Sequence, residues 1–143
     1  MGNTHFRKLE RMYASAPINR FFRPALKISA GEAELVIPVG GHLFHAANAV
    51  HGSVYAKAVD DAAFFAANSL VKDVFVLTVH LDVSLTRPVS SGEIRAKGRV
   101  TFSSRNLFHA ETVLSDREGR ELGRGSGIFV RGKTPLTPAI GYR

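Results

Sequence analysis

The chain of 143 residues contains no cysteine. Disulfides, thiolate metal sites and a cysteine nucleophile are therefore excluded, which fits a reducing compartment. No stretch approaches the roughly 20 apolar residues that a membrane-spanning helix needs. The opening Met1-Gly2-Asn3-Thr4-His5-Phe6-Arg7-Lys8 has no apolar signal core, and Phe6 stands where a myristoylation signal carries Ser or Thr. The expectation is a cytoplasmic protein with no membrane partner. Acidic residues are scarce as well, 12 against 19 Lys and Arg, for a net charge of +7. That balance raises nucleic acid as a partner. The basic residues are dispersed from Arg7 to Lys133, however, with no zinc pattern, no basic recognition helix and no ribonucleoprotein-type aromatic strand. The expectation is no nucleic acid, and a basic surface that is solvated or meets a small phosphorylated ligand. Repeats, low-complexity tracts and linkers are missing too.

What is present is an ordinary globular balance, 45% apolar and 22% charged, in a length that suits one domain over 1–143. The pattern predicts an N-terminal helix over Asn3–Tyr13 with Phe6, Leu9 and Tyr13 on one stripe. Pro17 and Pro24 bracket an irregular segment whose Phe21 and Phe22 should be pinned to the core, so 1–24 reads as a helical extension. Leu26 to Val39 reads as a first strand, stopped by Pro38, Gly40 and Gly41. His42 to Val50 is a loop or short turn. A long helix follows from Gly52 to about Leu70, with Val54, Ala58, Ala62, Phe65, Ala66 and Ser69 as its packed stripe, widened by Val59 and Phe64. Its alanines imply close approach to a sheet.

Four strands come next. Val74–Thr86 places Phe75, Leu77, Val79, Leu81, Val83 and Leu85 on one face and Thr78, His80 and Asp82 on the other. Glu93–Thr101 turns Ile94, Ala96 and Gly98 inward. Leu107–Ser115 and Leu122–Val130 follow tips at Arg105-Asn106 and Arg117-Glu118-Gly119. Gly123, Gly125 and Gly127 alternate on the last strand, where a flat face would accept the helix closely. The tail 133–143 carries two prolines and should be loose. Short turns make these strands antiparallel, so the fold class is α+β: a long central helix wrapped by an antiparallel sheet of about five strands.

The chemistry concentrates on the long helix. His51-Gly52 at its start offers free backbone N–H groups and the positive helix end to a carbonyl or oxyanion. Asp60, further along an otherwise apolar helix, is costly to bury and suggests a base. Nine residues separate His51 from Asp60, which is about 13 Å at helical rise. One chain cannot bring both to one carbon, whereas two chains in a symmetric dimer can. Asp61 lies about 100° round the helix from Asp60, so one of the two should face the groove and the other solvent or the dimer seam. His42, His45 and His51 lack a carboxylate at ligand spacing, and no metal or cofactor is expected. His80 and Asp82 share a strand face and should satisfy each other or a partner subunit.

The stretch His51-Gly52-Ser53-Val54-Tyr55-Ala56-Lys57-Ala58-Val59-Asp60, with the later Thr78-Val79-His80-Leu81-Asp82 and the strand-ending Pro88, resembles the hotdog-fold acyl-CoA thioesterases of the phenylacetate-pathway type over Leu26–Val130. That resemblance implies hydrolysis of an acyl-CoA or related thioester, with CoA entering only as part of the substrate. It implies that the Gly52 N–H holds the thioester oxygen and that Asp60 from the other subunit is base or nucleophile. Thr78 would help place the water, and His51 would be a positioner. A homodimer is then required, with a homotetramer as a further pairing. Two positions depart from the family pattern. Ser53 replaces the second motif glycine, and His45 stands where many relatives carry an asparagine, with Asn48 nearby to take that role. Ser53, Asp61, Arg95, Arg99 and Arg124 are the candidate substrate contacts, the arginines for CoA phosphates. The departures also support another reading, a non-catalytic hotdog module that binds acyl-CoA or acyl-carrier protein. The hydratase branch of the fold has histidine signatures that are not recognisable here.

Overall fold

The computed structural model describes residues 2–143, with side-chain surroundings from residue 4 onward. Helix α1 (Gly2–Ser15) and the four-residue helix α2 (Asn19–Phe22) precede strands β1 (Ala25–Ser29) and β2 (Glu32–Pro38). A 3-10 turn at Gly41–Leu43 leads to helix α3 (Gly52–Asn68). Strands β3 (Val74–Leu85), β4 (Glu93–Ser103), β5 (Leu107–Ser115) and β6 (Glu121–Pro135) follow. All six strands form one antiparallel sheet in the order β1-β2-β4-β5-β6-β3, so β3 is an outer strand paired only with β6. This is the α+β arrangement expected. No described helix is long and apolar enough to cross a membrane.

Helix α3 packs along one face of the sheet. Its expected stripe is buried throughout, from Val54 to Ser69. Three contacts fix its seat. At Gly98 of β4 an added Cβ would fall 2.4 Å from the Ala62 carbonyl oxygen, so helix backbone rests on strand backbone there. Thr112 of β5, 1% exposed, donates its hydroxyl to the Val59 carbonyl at 2.8 Å. At the helix end, the fully buried Asn68 donates to the Val71 and Val74 carbonyls and accepts from the Val76 N–H. That amide ties the end of α3 to the start of β3.

Several elements differ from the sequence expectation. The predicted single strand over Leu26–Val39 is a hairpin of β1 and β2, reversed at Gly31 with φ +71°. Glycine adopts that left-handed conformation without steric cost, and the apolar alternation changes parity there, from Leu26 and Ile28 to Ala33, Leu35 and Ile37, the break that a single strand does not explain. The sheet accordingly has six strands. Strands β4 and β6 also run past their expected ends. In β6 the extension reaches Pro135, and Leu136 N–H then bonds the Asp73 carbonyl. The tail 133–143 is thus docked: Leu136, Ile140 and Tyr142 pack on the core, and the Tyr142 hydroxyl meets His5 at 2.8 Å. Between Pro17 and Pro24 stands α2, with Phe22 half-buried but Phe21 52% exposed.

The glycine run in β6 serves strand contact more than helix contact. An added Cβ would meet β3 carbonyl oxygens at 2.4 Å from Gly123 and 2.1 Å from Gly125, and of the run only Gly125 also meets α3, at Val59. Strand β3 is not a clean alternation either. Register shifts fall between Val74 and Val76 and between Thr78 and His80. Before the second bulge Thr78 pairs with the buried Phe129, and after it Leu81, Val83 and Leu85 pair with Gly127, Gly125 and Gly123. All of these partners share one face of β6, so Thr78 and Leu81 both point toward α3. Leu77 and Val79 are left exposed at 50% and 57%.

Candidate active site

Two clusters lie at different stations along α3. At the middle of the helix, Asp60 is half-buried and its Oδ1 accepts a hydrogen bond from Thr78 Oγ1 at 2.9 Å. Asn68 and the β3 bulges bring Thr78 to this position. Burial pushes the Asp60 carboxyl above its ordinary value of 3.8, because a charged carboxylate loses solvation there. The Thr78 hydroxyl acts in the opposite sense, the charge of Asp61 adds to the rise, and the Lys57 ammonium opposes it. Asp61 is held differently: it accepts from the Tyr13 hydroxyl at 2.5 Å and from Lys57 Nζ at 2.8 Å.

A cavity of about 780 Å³ opens over these groups. Met12, Tyr13 and Ile18 of the N-terminal extension, Phe64 and Phe65 of α3, Phe75 of β3 and Ile140 of the tail give it an apolar wall. Asp60, Asp61, Lys57 and Thr78 form its polar floor, so both aspartates face the cavity rather than one, because Tyr13 and Lys57 hold Asp61 there. Such a space takes an apolar group attached to a polar, reactive one.

At the start of α3, His51 is the capping residue with extended backbone (φ −63°, ψ 143°). Its Nδ1 accepts from the Ser53 N–H at 3.0 Å, with Ser53 Oγ 2.8 Å from the same nitrogen. The Val54 N–H bonds the His51 carbonyl. Among the described residues nothing accepts from the Gly52 N–H, so one donor at the positive helix end is open to a ligand. The preceding loop is pinned by hydrogen bonds from His51 N–H to the Leu43 carbonyl and from Val50 N–H to the Val89 carbonyl, both 2.9 Å. His45 Nδ1 accepts from the Ala47 N–H at 3.0 Å. Asn48 occupies the left-handed turn position with φ +65° and is exposed. His45, Asn48, His51, Gly52 and Ser53 therefore gather at one end of α3, and none of them lines the Asp60 cavity.

The arginines stand elsewhere. Arg95, Arg99 and Arg124 lie on the sheet face away from α3, paired with Glu93, Glu111 and Glu121 respectively. His80 and Asp82 are 4.0 Å apart and both exposed, and Asp82 also accepts from Ser126 at 2.6 Å. Among the described residues no three His, Asp or Glu side chains gather as a metal site. The two partners of Asp61 escaped sequence reasoning. Lys57 carried a signal, its i,i+4 spacing to Asp61. Tyr13 carried none beyond its place on an apolar stripe, because its partner Asp61 lies 48 residues away.

Comparison with known proteins agrees with this fold. The profile of the thioesterase superfamily matches residues 47–122, just over half of the chain and the whole of α3. Among solved structures the chain is similar to the PaaI protein of Escherichia coli from the phenylacetic acid degradation operon, at TM-score 0.85 and 14% identity, covering 95% of this chain and 99% of that one. It is also similar to a thioesterase family protein from Silicibacter pomeroyi, at TM-score 0.80 and 22% identity over 88% and 98% of the two chains. A mutant thioesterase from Pseudomonas aeruginosa gives TM-score 0.78 and 16% identity over 90% and 94%. No curated protein matches the sequence.

Proposed function

The chain belongs to the thioesterase superfamily and has the hotdog fold, and on that premise we propose that it hydrolyses an acyl-CoA to the free acid and CoA at sites shared between two subunits. The observation that carries the reading is the separation of an open N–H at Gly52 from a half-buried carboxylate at Asp60 along one rigid helix. When two α3 helices pair antiparallel over their N-terminal halves, the start of one meets the middle of the other. The exposed apolar residues Leu77, Val79 and Leu85 on the outer strand β3 support a second copy there.

The Gly52 N–H takes the thioester oxygen of a substrate whose acyl group fills the apolar cavity of the partner. One such donor contributes about 3–4 kcal/mol to the oxyanion that forms. Asp60 of the partner subunit removes a proton from water as the water attacks the carbonyl carbon. Alternatively it attacks the carbon itself, giving an anhydride that water then opens. In both routes the C–S bond breaks as the oxyanion collapses, and the CoA sulfur leaves and takes up a proton. Burial raises the basicity of Asp60 toward working pH, which suits either role. Thr78 holds the carboxylate in place, and His51 orients the first turn of α3.

Subunit mixing tests the proposal. Asp60→Asn removes the base. Gly52→Pro deletes one N–H at the first helical position, where proline is tolerated and where His51 already has the extended conformation a following proline requires. Each variant alone should be inactive with phenylacetyl-CoA and hexanoyl-CoA in a free-thiol assay. Unfolded and refolded together in equal amounts, they should recover about a quarter of wild-type turnover, since half the dimers are mixed and each carries one intact site. Recovery of nothing, or full turnover by Asp60→Asn alone, refutes the shared site. Binding of every acyl-CoA by the wild type without turnover would favour a non-catalytic module.

A further inference from the structure

Adjacent carboxylates in one apolar cavity pose a problem of proton ownership, because each disfavours ionisation of the other. Here the surroundings of the two are unequal. Asp60 receives one neutral hydroxyl, from Thr78. Asp61 receives a phenol O–H and an ammonium. The ammonium is itself fixed: Lys57 Nζ lies 5.4 Å from the ring centroid of Tyr13 and 4.9 Å from that of Phe22, and the side chains of Lys57 and Asp61 are only 12% and 17% exposed. Tyr13 is packed edge-on against Phe65 at 5.0 Å, so its hydroxyl has a defined direction.

We propose that Asp61, clamped by Tyr13 and Lys57, is a positioning residue for the hydrolysis: its hydrogen bonds are committed to those two groups, which fixes its carboxylate beside Asp60 and leaves Asp60 as the member of the pair that exchanges the proton. This rests on the role assigned to Asp60 above. The N-terminal extension then enters the chemistry, since α1 and α2 supply Tyr13 and Phe22. Charged and titratable groups around Asp60 are Lys57 and Asp61 from α3, Tyr13 from α1 and Arg143 from the tail, while β3 contributes only the uncharged Thr78 and Phe75. Burial, followed by the charge of Asp61, pushes the Tyr13 hydroxyl up, so it stays a donor across the working range. The clamp works in two directions. The charge of Asp61 makes Asp60 harder to ionise, and Lys57 limits that effect.

The pH dependence of kcat/KM, measured on the full chain with phenylacetyl-CoA and hexanoyl-CoA, tests the clamp. Asp61→Asn keeps an acceptor for Tyr13 but removes the anion and leaves Lys57 unopposed. Activity below the acidic limb, relative to the plateau, should rise about tenfold, because Asp60 then ionises at lower pH. The plateau kcat should fall, because the base is weaker. Lys57→Met keeps the apolar stem and removes the cation, and the same ratio should fall about tenfold. The double variant should lie between the two. Opposite displacements support the proposal. Limbs that stay in place, move together, or give way to a uniform loss at every pH would mark the cluster as structural and overturn it. If Asp60→Asn keeps its turnover, the reading of Asp60 fails, and the clamp fails with it. If Asp60→Asn is dead and the limbs do not move, the clamp alone fails.

Discussion

Replacing Gly98 by Ala adds a single methyl group where the sheet touches the helix backbone. The new carbon would lie 2.4 Å from the Ala62 oxygen, 2.5 Å from the Ala62 carbonyl carbon and 2.9 Å from the Ala63 nitrogen. A carbon–oxygen approach closes at about 3.3 Å, so α3 must retreat by roughly 0.9 Å. The atoms in the way are backbone, and no rotamer change relieves them. A retreat of that size opens the interfaces of α3 with β5 and β2 as well, and it stretches the Thr112–Val59 hydrogen bond. Overpacking of this kind costs about 1–3 kcal/mol, and a backbone clash belongs at the upper end. For a chain of this length that is a fall of about 5–10 °C in Tm. The same helix carries Asp60 and Gly52, and a displacement near 1 Å at reacting groups can reduce turnover by about 10²-fold. The matched control is Gly41→Ala, where an added Cβ has nothing within 4 Å and φ is not positive. It should match the wild type in both melting and activity. A Gly98→Ala protein that melts and turns over like the control would refute the close seat of α3 on β4.

Two further outcomes are expected. Thr78→Val removes the hydroxyl that stabilises the ionised form of Asp60, so Asp60 keeps its proton to higher pH. The acidic limb of kcat/KM should move upward with little change in Tm, and a downward move would contradict the geometry. His5 is 4% exposed, with Nε2 3.0 Å from the Asn68 carbonyl and Nδ1 2.8 Å from the Tyr142 hydroxyl, and burial holds its pKa below 6.5. The unfolded chain binds a proton near 6.5 and the folded chain only further down. The stability this ring contributes is therefore complete above 6.5 and is lost as pH falls through it. Urea midpoints at pH 7.5 and 5 should differ less for His5→Gln than for the wild type, and an equal difference would remove His5 from the account.

The elements that were legible in the sequence are those where local pattern and tertiary contact coincide. Strand β5 has the expected bounds, because its alternation meets one apolar neighbour, α3, along its whole length. The stripe of α3 was readable for the same reason. Where tertiary contact overrode the local pattern, reading failed. The hairpin at Gly31 leaves only a short signal, the switch of apolar parity from Leu26 and Ile28 to Ala33, Leu35 and Ile37. The prolines of the tail argue for a loose end, yet Leu136, Ile140 and Tyr142 each find the core. The site divides in the same way. His51, Gly52 and Asp60 lie on one helix, and spacing alone put them too far apart for one carbon. The partners that give Asp60 and Asp61 different surroundings come from α1 and β3, and no local rule connects Tyr13 to a residue 48 positions on.

Strand β3 shows why the missing part matters for chemistry. Read as an unbroken alternation, Thr78 would share a face with His80 and Asp82, opposite Leu81, Val83 and Leu85. An edge strand built that way could present its leucines to α3 or its threonine, but not both, because side chains alternate strictly in a regular strand. The bulge at Val79 changes the parity once. Upstream of it, Val76 and Thr78 face the helix, with Val76 locked by the Asn68 carboxamide. Downstream, Leu81 and Val83 pack against the core, and Leu85 lies beside Gly52. One strand thereby touches the middle and the start of the helix that carries the chemistry: a hydroxyl at Asp60 and an apolar side chain at the open N–H. Its other edge stays free for a second copy. A straight β3 would leave Asp60 without its one hydrogen-bond donor, and a buried carboxylate with no donor is the costliest state available to it.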